Sequence, residues 1–266
     1  MKLFPSYLAA TFLLFGGLLL LPMLARAQTD EIQVYDADIA APGIFNLTWH
    51  NNFIADGLST PAFPGGLTPD KSFNGVTEWA YGVTNWFEAG LYLPLYSISQ
   101  GRGASINGGK LRALFVRPHA ADRTFFYGVN FEFSYNALHW EPTHFTSEIR
   151  PIIGWHLHPV DIIVNPILDN SFKGGFKSLD FAPAVRLAYR RGAKWAVAAE
   201  EYADYGPLRN FYSAGKQSQQ LYGVFDWYGK ALNVEAGVGF GLTSASDKVT
   251  LKLILSRDLN SHGRTN

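Results

Sequence analysis

Between Phe125 and Asn136 the chain alternates residue by residue. Phe125, Tyr127, Val129, Phe131, Phe133 and Tyr135 fall on one face. Gly128, Asn130, Glu132, Ser134 and Asn136 fall on the other, where Phe126 is the one apolar exception. Successive side chains of a strand point to opposite faces, so this pattern predicts a strand with one oily and one wet face. Residues 231–242 repeat it, with Leu232, Val234, Ala236, Val238, Phe240 and Leu242 against Asn233, Glu235, Gly237, Gly239 and Gly241. Residues 179–190 and 248–257 do the same, and none of these stretches carries the three-and-four spacing of an amphipathic helix.

Twelve such segments are expected, at 44–54, 76–83, 87–96, 110–117, 125–136, 147–157, 161–168, 179–190, 195–202, 218–228, 231–242 and 248–257. Short connections at 84–86, 118–124, 158–160, 191–194 and 229–230 alternate with longer ones at 55–75, 97–109, 137–146, 169–178 and 203–217, and with a shorter one at 243–247. An even strand number, short turns at one end and longer loops at the other describe a transmembrane antiparallel β-barrel of the bacterial outer membrane. The expected fold class is therefore all-β, a barrel of about twelve strands spanning 44–259. Trp86, Trp155, Trp195 and Trp227 lie within a few residues of the short turns. An indole favours the membrane interface, so these four are expected to form a periplasmic aromatic girdle. Loop 55–75 is rich in Pro and Gly and is expected to be a mobile surface loop, with a constriction folded into the mouth as the alternative.

The beginning of the chain fits export. Lys2 precedes an apolar run at 8–21, and Ala25-Arg26-Ala27 has the small-x-small pattern of a cleavage site, so 1–27 is expected to be a cleaved signal peptide. No second long apolar run follows to span a membrane as a helix. Loss of Lys2 and Arg26 leaves 20 of the 22 basic residues against 22 acidic ones, which gives no electrostatic case for nucleic acid. The chain has no cysteine, which excludes disulfides and a lipid-anchored N-terminal cysteine. Segment 28–43 carries Asp30, Glu31, Asp36 and Asp38 and is expected in the periplasm, with the barrel lumen as the alternative; 260–266 is a polar tail.

Chemistry is sparse. A barrel lipid hydrolase would want a serine beside a histidine, and the nearest approach, His144-Phe145-Thr146-Ser147, has the wrong spacing. Asp204 and the Glu200-Glu201 pair lack the His-Asp partner of an aspartate-based protease, so no enzyme, catalytic residue or cofactor is expected. His156 and His158 with Asp161 have spacing compatible with metal but no third ligand, and a polar pair at the lumen end is the stronger expectation. Gly237-Val-Gly-Phe-Gly241 lies within a strand and is expected to place small residues in the lumen rather than bind a nucleotide. The alternation instead assigns Glu88, Arg112, Glu132, Arg150, Arg186, Glu200, Asp226, Glu235 and Lys252 to the lumen. Charges removed from bulk water must pair or line a wet path, so these nine form either a salt-bridged plug or a polar pathway.

Glu31-Ile-Gln-Val-Tyr-Asp, Pro42-Gly43, Leu47-Thr-Trp-His-Asn-Asn-Phe and Tyr81-Gly-Val-Thr-Asn-Trp-Phe-Glu-Ala-Gly-Leu-Tyr-Leu-Pro together resemble an outer-membrane barrel family linked to the meta-cleavage pathway of phenol degradation. The motifs cover about the first third of the chain after the signal, and being structural they carry no catalytic residue. The resemblance implies passage or uptake of small, often aromatic, compounds. One departure is that the last strand, Val249-Thr-Leu-Lys-Leu-Ile-Leu-Ser-Arg-Asp-Leu259, ends without the terminal aromatic common in such barrels. The expected function is passive transport of small solutes across the Gram-negative outer membrane. A non-conducting structural or surface-interaction barrel is the alternative. The expected partners are outer-membrane lipid, the barrel-assembly machinery and a small-molecule solute.

Overall fold

The computed structural model describes residues 31–172 and 179–260, so the expected signal segment and most of the polar tail lie outside the described residues. The alternating segments form β1 (Phe45–Asp56), β2 (Phe73–Gly82), β3 (Phe87–Ser99), β4 (Gly103–Val116), β5 (Phe125–Asn136), β6 (Phe145–His156) and β7 (Val160–Asn165). They continue as β8 (Leu168–Asn170), β9 (Asp180–Phe181), β10 (Ala184–Arg190), β11 (Trp195–Asp204), β12 (Ser218–Tyr228), β13 (Asn233–Gly241) and β14 (Val249–Asp258). Each strand pairs antiparallel with its neighbours, and β1 closes on β14.

Fourteen segments make twelve staves, because two staves are interrupted by proline. Pro166 separates β7 from β8, yet both pair with β6 in one continuous register, from Ile153↔Val164 to Ser147↔Asn170. Pro183 likewise separates β9 from β10 opposite that stave, with Leu168↔Phe181 and Ala184↔Asn165 in one register. Proline has no N–H to give to the ladder, so the strand pattern lapses there while the path of the chain does not.

The barrel is inside-out relative to a water-soluble sandwich. Trp49, Trp79, Leu111, Phe131, Phe133, Leu187, Phe225 and Phe240 are exposed on the outer wall, while His50, Asn130, Glu132, Asn165, Glu200 and Lys252 are buried within it. No helix among the described residues is long and apolar enough to cross a membrane, which leaves crossing to the strands.

Two expectations about connections are corrected. The long loop at 97–109 is a tight hairpin: Ser99 pairs with Gly103, and the ladder runs on through Ser97↔Ser105. Its alternation was hidden because Ser97, Ser99, Ser105, Asn107 and two adjacent glycines offer little apolar contrast, and Gly101 and Gly103 supply the positive φ that the three-residue turn needs. The mobile-loop expectation for 55–75 also fails. Phe63 and Leu67 are buried, the Leu67 N–H donates to the His139 carbonyl, and Asp70 accepts from the Gly57 N–H at 2.9 Å. The loop is folded into the mouth.

Candidate functional site: a strapped, two-chambered lumen

The described part of the segment before β1 does not lie outside the barrel, which corrects the periplasmic expectation. It enters beside the short turns, where Gly43 donates to the Gly82 carbonyl, and then climbs inside the bore. Ala40 N–H donates to Glu88 of β3 at 2.6 Å. Asn165 of β7 grips Tyr35 on both sides, accepting from its N–H at 2.7 Å and donating to its carbonyl at 3.0 Å. Arg150 of β6 donates to the Gln33 carbonyl and Lys252 of β14 to the Ile32 carbonyl, at 3.1 and 3.3 Å. β6 and β14 are six staves apart in the closed twelve-stave order. Two adjacent carbonyls are therefore held from opposite walls, and residues 31–41 form a strap across the lumen.

The strap has an apolar bed. Val34, Tyr35 and Ala37 pack on Leu114, Val116, Phe126, Ile152, Ile163, Ile167 and Ala184, all on the inner wall, while Ile32 packs on Tyr222 and Val224. This explains the one apolar residue on the wet face of β5: Phe126 lies inside, stacked on His156 with centroids 4.6 Å apart. A Cβ at Gly154 would overlap its ring, and one at Gly239 would overlap Tyr222, so these glycines make room for large lumen side chains.

Charges line the two walls beside the strap. On one, Arg112 pairs with Glu88 and, at 2.8 Å, with Glu78, which also meets His50 at 3.1 Å. Further along, Lys110 pairs with Glu132 at 3.3 Å and Arg150 with Glu148 at 2.7 Å. On the other wall Arg186 pairs with Glu200 and Asp226, and Lys252 with Glu200 and, at 2.6 Å, Glu235. Of the nine residues assigned to the lumen, eight are buried and Glu235 is partly so. The ion pairs run along each wall, with the strap between them. Burial, then the neighbouring Glu132, push the Glu31 carboxyl up to about 7 against the pull of Arg150.

Two cavities flank the strap. The one at the short-turn end has a volume of about 430 Å³ and is lined by strap residues 33–41 together with Glu78, Glu88, Asp161, Asp226 and Arg190. The one at the long-loop end has a volume of about 530 Å³ and is lined by strap residues 31–33, loop residues Leu58, Phe63 and Pro69, and Trp140. Gln33 borders both. Among the described residues each lining is acidic overall. The long-loop chamber has Glu31, Glu132, Glu141, Glu148, Asp169, Asp180, Asp204 and Asp247 against Lys110 and Arg150.

Glu78, Lys110 and Glu148 share strand parity with lumen residues and were legible from the alternation; His50, Asn165 and Tyr35 were not singled out by it. His156 bonds Asp161 at 2.7 Å, whereas His158 is exposed in the turn between β6 and β7. No group of metal-ligating side chains occurs among the described residues. Glu200 belongs to the Lys252 and Arg186 cluster while Glu201 is exposed. Trp86 and Trp227 are exposed near the short turns, Trp195 lies opposite Trp227 across the ladder, and Trp155 packs on Phe125 at 5.6 Å.

No family model and no curated protein sequence matches the chain. Solved structures do. The fold is similar to the COG4313 outer membrane channel from Pseudomonas putida F1, at 13% identity over 86% of this chain and 100% of that chain, with a TM-score of 0.58. It is also similar to the NanC porin, at 8% identity over 81% and 100% with a TM-score of 0.51. The KdgM porin, solved in complex with disordered oligogalacturonate, matches at 8% identity over 80% and 99% with a TM-score of 0.50. Identities this low speak for the fold: a closed twelve-stranded antiparallel barrel that resembles small outer-membrane channels. The narrower resemblance to the phenol-degradation family gains no family match.

Proposed function

We propose that this protein is an outer-membrane channel for passive passage of small solutes, and that its lumen charges favour cations. The observation that carries this reading is the pair of chambers, one at each end of the bore, each with several carboxylates in its lining and with Gln33 of the strap bordering both. A barrel needed only as a rigid shell gains nothing from enclosing two chambers with net acidic walls, since buried charges cost stability unless water or a partner compensates them. The likeness to channels and porins supports the same reading, as does an outer wall of exposed Trp, Phe and Leu suited to lipid. By the resemblance noted above, small aromatic compounds are among the solutes proposed. The non-conducting alternative is favoured by one observation, the close seating of the strap in its apolar bed.

Planar-bilayer recording separates the two. Discrete conductance steps, with a reversal potential in a KCl gradient shifted toward that of potassium, are expected. A barrel that is folded, shown by faster gel migration before boiling than after, yet passes no current would refute the channel reading. Anion preference would refute the selectivity assigned to the acidic walls.

A further inference from the structure

We propose that the short-turn rim of β10–β14 is a docking surface for anionic phospholipid, whose headgroup phosphates it grips. The surface rests on the barrel standing in a membrane and is independent of conduction. Its cations come from three places in the chain that the sheet brings side by side. Arg191 and Lys194 lie in the β10–β11 turn, Lys230 in the β12–β13 turn and Arg257 near the end of β14, and all four are exposed. β10, β11, β12, β13 and β14 are consecutive in the closed order. At about 4.8 Å per step between strands, the four cations cover an arc of about 20 Å. None of them makes an ion pair or donates a side-chain hydrogen bond to a described residue. Three other cations near the barrel rims are engaged: Arg117 donates to the Phe125 carbonyl at 3.0 Å, Arg123 to the Pro118 carbonyl at 2.9 Å, and Lys248 pairs with Asp56 at 3.4 Å.

The acids at this end are placed elsewhere. Asp36, Asp38, Asp226 and Asp258 line the short-turn chamber, on the inner side of the wall. The exposed Asp122 sits in the turn between β4 and β5, on the far side of the ring. Among the described residues, the outer side of the arc therefore carries positive charge alone. Clustered Lys and Arg beside a bilayer attract anionic headgroups, and an Arg guanidinium matches a phosphate with two parallel hydrogen bonds.

The wall behind the cations identifies the polyanion as lipid. Leu187 of β10, Val197 of β11, Phe225 of β12, Val238 of β13 and Leu253 of β14 are all exposed, one apolar side chain from each stave. Nearer the turns, Trp195 of β11 lies opposite Trp227 of β12 across the ladder, and Trp227 is 44% exposed. Indoles settle at headgroup level, with the ring in the apolar layer and the N–H wet. Lys194 is next to Trp195 in the chain, and Lys230 follows Trp227 by three residues, so the cations stand just beyond the indoles. Apolar wall, indole and cation thus follow one another as acyl chain, glycerol and phosphate do in a phospholipid. A soluble polyanion would meet the cations and leave the apolar wall and the indoles uncovered.

The test is native mass spectrometry of the folded barrel released from detergent micelles that hold equal amounts of dioleoyl phosphatidylglycerol and dioleoyl phosphatidylcholine. Bound phosphatidylglycerol is expected to exceed phosphatidylcholine by about tenfold. Arg191→Gln, Lys194→Gln, Lys230→Gln and Arg257→Gln together are expected to remove that preference, with the gel shift on boiling showing that the variant folds. The same change of charge on the long loops, by Lys71→Gln, Arg102→Gln, Arg209→Gln and Lys216→Gln, is expected to leave it intact. A preference unchanged in the first variant, or lost equally in both, overturns the surface. Insertion of the wild-type barrel into phosphatidylcholine vesicles, read as resistance to alkaline extraction, is measured separately. A barrel that inserts but shows no preference overturns the lipid surface alone; one that fails to insert overturns the membrane reading on which the surface rests.

Discussion

Asn165 is the residue whose loss should most selectively release the strap. Its side chain is fully buried and its two hydrogen bonds, at 2.7 and 3.0 Å, both go to the backbone of Tyr35. Asn165→Ala removes both partners while the strap's N–H and carbonyl stay buried, which costs about 1–3 kcal/mol for each group left unsatisfied. Water admitted by the smaller side chain relieves part of this, so a net loss of about 2–4 kcal/mol is expected, or roughly 30- to 1,000-fold in the equilibrium between seated and released strap. The barrel should survive, because the ladder on both sides of Asn165 is made by backbone groups. The chain contains no cysteine, so Ala37→Cys gives a single thiol at a site that is 2% exposed. Labelling by a maleimide should be slow in the Ala37→Cys background and faster by at least an order of magnitude when Asn165→Ala is added. Conductance should rise in parallel. Unchanged labelling and unchanged conductance in a folded double variant would refute the assignment of Asn165 as the clamp.

Three further outcomes are expected. The Glu31 carboxyl is raised from 4.5 to about 7 by burial and by Glu132, against Arg150, His50 and Lys110, so the seated strap holds a proton that a released strap loses. Seating therefore strengthens as pH falls through 7, and Ala37→Cys labelling should slow from pH 8 to pH 5 unless Glu31→Gln is present. Lys252→Met leaves Glu200 and Glu235 without their ammonium and should cost roughly 3–5 kcal/mol, less what Arg186 recovers; an unaltered temperature for loss of the folded gel band would count against it. Leu111 is 62% exposed on the outer wall, so Leu111→Arg should cost roughly 2–4 kcal/mol in lipid vesicles if it sits at the bilayer midplane, and a cost below about 0.5 kcal/mol would mean that this face meets water.

The barrel was legible because an apolar outer wall and a polar lumen write themselves as period two, and that period assigned Glu132, Arg186 and Lys252 to one interior. Where the period lapsed, the reason was local. Pro166 and Pro183 removed ladder donors from two staves without ending them, and the serines and glycines of 97–109 lacked the contrast that marks a face. The strap was not legible by that signal. Its chain is extended but pairs with side chains from several staves rather than with one neighbour, so it has no register to display.

A different signal for the strap was present. Leu114, Phe126, Ile152 and Ile163 break the polar face on β4, β5, β6 and β7, and they do so where those strands stand side by side. An apolar patch on a wet wall is unfavourable unless something apolar covers it. The same chain carries Ile32, Val34 and Tyr35 just before its first strand, tied to the barrel rim at Gly43. In a lumen otherwise built from charge, such exceptions mark where a segment of the protein itself is seated.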